Sequence, residues 1–412
     1  MRSNKRKMTL AIRKLLVWCS ALGCSAAFSL HAQIDDTKRE LIQLGYNQPL
    51  QGNSPLSAYA FYYLNQPHFF RSNITLRLAV APVYLDSELG FSELLGPNTH
   101  FGLGVAGGGF AEGYSELRAG KYFKEESFTG HGAGVSGNIY HLFNPGKQIP
   151  LYAVLRNEAH FSAYERDSRT APTFVLPEDK QSYNIRAGLR WGGREPLMQP
   201  DLAMELSAWY EGQFRASSGV YGFNGDRSER SQSHLFWGRA LIAYTLPERK
   251  DNISLNLTVG TSVGADRFSA YRLGGVLPLA AEFPLSLPGY YYQEISARRF
   301  ALVAARYSLV LNSSWALIFQ GATAGVDYVA GLEQPGHWHS GVGSGISYRS
   351  PSDAWQIVLS YGYGVDALRS SGRGAHNIGF LLQFDFERTR HGLWPGEQPF
   401  RSRGLERLLR FE

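Results

Sequence analysis

The chain is short of cysteine, short of charge and, past its first 32 residues, short of any long apolar run. Its two cysteines, Cys19 and Cys24, both fall within residues 1–32. The rest therefore has no thiol, which excludes disulfides, cysteine nucleophiles and thiolate metal sites from it. Charged residues are only 18% of the 412, against roughly a quarter in ordinary soluble domains. No stretch beyond residue 32 reaches the ~18 uncharged apolar residues that a membrane-spanning helix requires. The basic excess is local too. Six of the 41 Lys+Arg, and no acid, lie in residues 1–32, so 35 basic residues then face 35 acidic ones. Net charge thus supplies no reason to expect a nucleic-acid partner.

The first 32 residues read as an export signal rather than as part of the fold. Arg2, Lys5, Arg6, Lys7, Arg13 and Lys14 form a basic start, and residues 15–30 form an apolar segment of signal-peptide length. Cleavage is expected between Ala32 and Gln33, although Leu30 fits the −3 position poorly. A short membrane anchor is one alternative. A lipoprotein signal ending at Cys24 is another, though Ala21 stands where leucine is usual.

What is abundant is glycine, 45 residues, and aromatic side chains, 13% of the chain. Beyond residue 73 apolar and polar residues alternate with period two, the mark of strands with two different faces. Ile74, Leu76, Leu78 and Val80 alternate with Thr75, Arg77 and Ala79. Tyr183, Ile185, Ala187, Leu189 and Trp191 share one face, with Asn184, Arg186, Gly188, Arg190 and Gly192 on the other. A soluble sandwich would bury the first face, and a membrane barrel would turn it to lipid. Period alone does not separate these. The aromatic residues at both ends of the strand favour lipid, because barrels carry aromatic girdles at the two interfaces. About 13 strands are clear and two doubtful, one of them over 115–124. The expected fold is all-β, a transmembrane antiparallel barrel of 16 strands, or 14, over residues 73–387. Residues 33–72 are left unassigned, with 57–64 readable as a strand or a short helix, and 388–412 form a basic tail.

One stretch, 267–299, is too rich in Pro and Gly for a strand and too apolar for a disordered linker. It joins two strand-like runs, as a long loop at the outer rim of a barrel does. Five strands follow it, which places it on the side away from the C-terminus. Left on the surface, Val276, Leu277, Leu279, Phe283, Leu285, Leu287 and Tyr290 to Tyr292 would form a large exposed apolar patch. The loop is therefore expected to fold into the lumen.

These features resemble the C-terminal half of the BamA/TamA-type outer-membrane barrels, also called the bacterial surface antigen family. Arg272-Leu-Gly-Gly275 is similar to the start of that family's large sixth extracellular loop. Leu287-Pro-Gly-Tyr290 with Gln293-Glu-Ile-Ser296 stands where the family has its Val-Arg-Gly-Phe/Tyr hairpin. Ser340 to Pro351 resembles its Gly-rich strand and turn, and Trp355–Tyr363 with Asn377–Phe386 its closing pair. The resemblance covers residues 250–387 and implies 16 strands. It marks Arg272, Gly274, Gly275, Pro288, Gly289, Tyr290 and Glu294 as the loop motif. It marks Asn377, Gly379, Leu382 and Phe384 as the assembly signal of the closing strand. Two departures stand out. Pro288 replaces the family's hairpin arginine, and the acidic partner would fall near Gly321, so packing is expected to hold the loop without a salt bridge. The family's periplasmic POTRA modules have no counterpart in the sequence.

The implied function is outer-membrane assembly or transport, without catalysis or cofactor. The expected partners are outer-membrane lipid and a periplasmic accessory protein. A passive channel or porin is the alternative. An outer-membrane hydrolase is a third class without a catalytic set. Gly260-Thr-Ser-Val-Gly264 has hydrolase spacing but lies in a strand rather than at a strand-to-helix turn. His337-Trp-His339 offers two metal ligands, too few to close a site. Arg186, Arg190, Arg298, Arg299 and Arg306 can line an anion path or simply be solvated.

Overall fold

A computed structural model describes residues 37–147, 149–192, 204–246, 248–277 and 283–389. Residues 1–32, expected to be an export signal, and all of the tail beyond Thr389 lie outside these.

Sixteen strands form the wall. The first eight are β1 (Arg39–Pro49), β2 (Ser57–Gln66), β3 (Ile74–Ala81), β4 (Tyr84–Phe91), β5 (Thr99–Gly108), β6 (Lys121–Leu142), β7 (Leu151–Glu165) and β8 (Lys180–Gly192). The second eight are β9 (Met204–Arg215), β10 (Gln232–Thr245), β11 (Asn252–Val263), β12 (Ile295–Val310), β13 (Trp315–Tyr328), β14 (Trp338–Arg349), β15 (Trp355–Arg369) and β16 (Gly372–Asp385). Each pairs antiparallel with its sequence neighbours, and β1 pairs with β16 from Leu41↔Asp385 to Pro49↔Asn377, closing the barrel. Closure removes the sheet edges that would otherwise be left unsatisfied in lipid.

Fourteen strands are thereby ruled out. The barrel also starts earlier than its sequence pattern, because 33–72, left unassigned above, supplies β1 and β2. Residues 115–124 add no wall strand. Tyr114–Arg118 instead folds back on the extended upper part of β6.

The two faces of the wall separate a membrane barrel from a soluble sandwich. Leu189 is 52% exposed and Trp191 42%, whereas Arg190 between them is 4% exposed. Leu103, Val105, Val135, Leu257, Val303, Val342 and Leu359 are exposed in the same way. Arg77, Glu88, Arg190, Glu205 and Asn377 are buried. Apolar out and charged in is the reverse of a water-soluble core. It is the arrangement of a barrel that presents its outer face to hydrocarbon. Several of the inward charges are paired, as low-polarity surroundings favour. Arg77 bonds Glu88 at 2.9 Å, and the Tyr140 hydroxyl donates to the same carboxylate at 2.9 Å. Leu257→Arg, on the outer face of β11, is expected to destabilise the folded barrel by about 2–4 kcal/mol in lipid. Asn256→Asp, facing inward beside the Arg239 guanidinium, is expected to be near neutral. Urea titration of heat-modifiable gel migration compares the two.

The strand ends differ. One end carries the connections 109–120, 166–179, 216–231 and 264–294, and the other has short ones such as 246–251, 311–314 and 350–354. An even strand number puts both chain ends at the short-turn end, opposite the long loops. At the long-loop end Tyr114, Phe128, Phe174 and Tyr221 form a buried aromatic cluster with Phe268 against it. Beneath it Glu116, fully buried, meets Arg118, Arg227 and Arg267. Asp266 is part of the same cap. Burial works to raise its pKa, but Arg215, the Arg230 amide and Ser269 outweigh burial and hold the carboxyl below its usual range.

Candidate functional site at the long loop

Within the loop 264–294 the described residues 272–277 and 283–294 lie against the inward side chains of the wall. Gly274 N donates to Leu285 O at 3.0 Å and Leu287 N to Gly275 O at 2.9 Å, so residues 274–275 and 285–287 run side by side. Leu273, Leu287, Tyr290 and Ile295 are fully buried and pack with Phe300, Leu302, Val326 and Tyr328. Val276 and Leu277 pack against Ile318, Val358 and Leu381. On β12 the exposed Val303 alternates with Leu302, so these partners belong to the inward set.

One ion pair ties the loop to the wall. Arg369, at the end of β15, donates through Nη1 and Nη2 to the two oxygens of Glu294 at 2.8 and 3.1 Å. Both side chains are 1% exposed. The guanidinium also lies 3.6 Å from the centre of the Tyr291 ring and donates to Gly289 O at 3.3 Å. Glu294 in turn accepts from Tyr291 N at 2.7 Å. A two-pronged pair is the geometry in which a buried pair is tolerated, and here Arg369 Nε is left buried without a partner among the described residues.

This corrects the expectation that packing alone holds the loop. The anchor exists with its polarity reversed, the carboxylate on the loop and the guanidinium on the barrel. Gly321 is not a place for its acid, because it alternates with Gln320, whose amide donates to the loop at Val276 O. Pro288 sits instead against Gly341 and Gly362, where glycine leaves room for its backbone and ring.

The other loop-motif residues have separate tasks. Arg272 donates to Arg267 O at 2.7 Å and lies 5.0 Å over the Tyr114 ring, joining the loop to the cap. Tyr290 meets His339 at 3.2 Å, and Tyr328 bonds the other ring nitrogen at 2.5 Å. His339 is thus a hydrogen-bond bridge within the fold. Gly289 has φ 86°, and an added Cβ would lie 1.7 Å from Gly364 N. Gly289→Ala should therefore lift the hairpin from β15 and destabilise the protein by more than about 1 kcal/mol. Faster proteolysis within the loop of the refolded protein reports this, and unchanged proteolysis would oppose it.

The closing-strand residues divide in two. Asn377 and Gly379 belong to the loop's socket. Asn377 accepts from Gly289 N at 3.1 Å and donates to Tyr290 O at 2.8 Å. Gly379 leaves space for Val276 and Leu277. Leu382 and Phe384 point away from the socket, the latter 5.0 Å from Phe386. The sequence reading missed Arg369 and Gln51, whose carbonyl accepts from the Tyr291 hydroxyl at 3.0 Å, and it weighed His339 only as a metal ligand. It also missed the opposite wall. Phe283 rests 4.6 Å from Trp237 on β10 and 5.6 Å from Trp209 on β9, with Arg190 and Arg239 over its ring.

Of the five arginines considered as an anion path, Arg186 and Arg190 pair with Glu211 and Glu205, and the exposed Arg298 with Asp327. Arg299 is exposed. Ser262 of the hydrolase-like spacing lies in β11 and donates to Arg298 O at 2.7 Å.

A closed sixteen-stranded antiparallel wall, apolar outside and polar inside, is the fold of outer-membrane barrels. No family model matches the sequence, and no curated protein matches it. Solved structures do. CdiB from Acinetobacter baumannii superposes with TM-score 0.54 at 10% identity, covering 84% of this chain and 60% of that one. CdiB from Escherichia coli gives 0.54 at 10% identity over 84% and 62%. BamA from Haemophilus ducreyi lacking POTRA domains 1–3 gives 0.52 at 11% identity over 85% and 70%. The chain thus spans about 60% of the length of the CdiB structures. At these identities the likeness is one of fold.

Proposed function

We propose that the protein is an outer-membrane barrel acting in membrane-protein assembly or in transport, with its lumen closed by the loop 264–294. The observation that carries this is the loop's attachment to both walls. Glu294 is locked to Arg369 on one side, and Phe283 is wedged against Trp209 and Trp237 on the other. Removing either partner of such a buried pair is costly, so the pair holds the loop against the wall and away from an open lumen. In this reading residues 1–32 direct export, the long-loop end faces outward, and a separate periplasmic protein delivers the client. No catalytic step is assigned.

The passive-channel reading has one observation in its favour. Arg306 faces the lumen from β12, and its Nε is buried without a hydrogen-bond partner. An unpartnered guanidinium N–H facing the lumen is a donor for a passing anion. Depletion in cells decides between the two. Loss of the protein should lower the folded amount of other outer-membrane proteins, or the surface level of an exported one. An unchanged envelope together with a steady ohmic conductance of the wild-type protein would transfer the assignment to a channel.

A further inference from the structure

The wall has an uneven rim at the long-loop end. β3 and β4 are joined by the two residues Pro82 and Val83, and β3 pairs with β2 only from Tyr62↔Val80 to Gln66↔Leu76. On either side the chain rises higher. The β1–β2 connection 50–56 stands on one flank, and the upper part of β6 with Tyr114–Arg118 stands on the other. Between these flanks, above the short hairpin, lies a cleft of about 320 Å³. The outer apolar band below it runs through Val80, Leu85, Val105 and Val135. The cleft therefore lies at the long-loop rim, beyond the end of that apolar band.

We propose that this cleft binds an anionic oligosaccharide, which rests on the outer-membrane reading above. Its walls have the chemistry that sugars select. Tyr46 and Tyr122, both half-buried, offer aromatic rings, and Asn53, Ser115 and Thr129 offer amide and hydroxyl groups. Asn53, Ser115, Thr129 and Lys124 make no side-chain bond among the described residues, so they are available to a ligand. The Arg169 charge is balanced by Asp167 at 3.1 Å, and both line the cleft. Lys124 is then the uncompensated cation, and it selects a phosphate or carboxylate on the sugar.

The site is also pre-formed, which lowers the ordering cost of binding. Leu50 N donates to His376 O at 2.9 Å, and the Gln51 carbonyl is held by Tyr291. On the other flank Ser127 Oγ donates to Phe123 O at 2.7 Å and accepts from Glu116 N at 3.0 Å, while Thr170 Oγ1 donates to Ser127 O at 2.6 Å. Few apolar aliphatic side chains line the cleft, which argues against an acyl chain or a hydrophobic peptide as occupant.

The test is calorimetric titration of the full refolded protein in detergent with the phosphorylated core oligosaccharide released from rough lipopolysaccharide by mild acid. Saturable binding is expected, weakened at least tenfold by Lys124→Glu and by phosphatase treatment of the glycan. Asn53→Ala, in an exposed turn, is expected to weaken it as well and serves if Lys124→Glu does not fold. Arg388→Glu, at the other end of the barrel, should change nothing. Competition by intact lipopolysaccharide at a concentration at least tenfold below that of the released glycan identifies the lipid-borne form as the source. Equal competition identifies the free glycan. No saturable binding, binding indifferent to both cleft variants, or equal binding of the dephosphorylated glycan would overturn the proposal.

Discussion

Arg369→Ala is expected to destabilise the barrel by about 3–5 kcal/mol, the usual loss when one partner of a buried pair is removed. The reason lies in what remains. Glu294 is 1% exposed on its side chain, and its only other bond is from Tyr291 N at 2.7 Å. Without the guanidinium the carboxylate must either stay charged in a dry site or take up a proton, and both raise the energy of the folded loop. The Tyr291 ring and the Gly289 carbonyl lose the same cation. Glu294→Gln should cost less, because the amide oxygen still accepts a bond and no lone negative charge is left. The double variant Glu294→Met with Arg369→Met should recover part of the loss, since neither charge is then stranded. Recovery stays partial because Tyr291 N and Gly289 O lose their partners too. Urea titration of the refolded protein in detergent measures all three. A single-variant loss below about 1 kcal/mol would show that the pair is not buried in solution.

How much of this was legible beforehand follows the range of each interaction. The wall strands were readable where their two faces differ in polarity, as in 183–192, where Leu189 is exposed and Arg190 buried. The five strands after the loop were readable for the same reason, and their odd number puts the loop at the end of the barrel opposite the last strand's C-terminus. β2 was not, because Phe61, Tyr62 and Tyr63 are consecutive aromatics that erase the period. They nonetheless alternate in space, Tyr63 packing inward near Leu41 and Ala79. The loop motif was seen, but its anchor was not. Glu294 and Arg369 are 75 residues apart, and no local pattern links them. The end of β15 was also placed short of Arg369, because Gly362, Gly364 and a register shift between Gly364 and Leu368 interrupt the alternation. Asn377 was recognised as part of the closing strand, yet its side chain serves the loop.

Deleting residues 276–292 should convert a closed barrel into an open one. A sixteen-stranded wall encloses a lumen wide enough for water and ions unless something fills it. Here the hairpin reaches from Arg369 and Asn377 on one side to Trp209 and Trp237 on the other. Removing it takes away Phe283, Tyr290 and Tyr291 together, leaving the inward polar groups of β8–β11 to line a wet passage. Single-channel conductance in a planar bilayer should rise severalfold, from brief openings in the wild type to a steady current. The barrel itself should persist, because its closure runs through β1 and β16 and not through the loop. Heat-modifiable migration of the deletion variant checks that point independently. Pro288→Arg should leave conductance unchanged, since Pro288 faces Gly341 and Gly362 and meets no carboxylate. The arginines over Phe283 bias the opened passage. Arg190 and Arg239 each lose a ring contact while Glu205 stays paired with both, so the current should be weakly selective rather than strongly anionic. Equal conductance with and without residues 276–292, in a barrel that still shows heat-modifiable migration, would mean that the loop does not close the lumen.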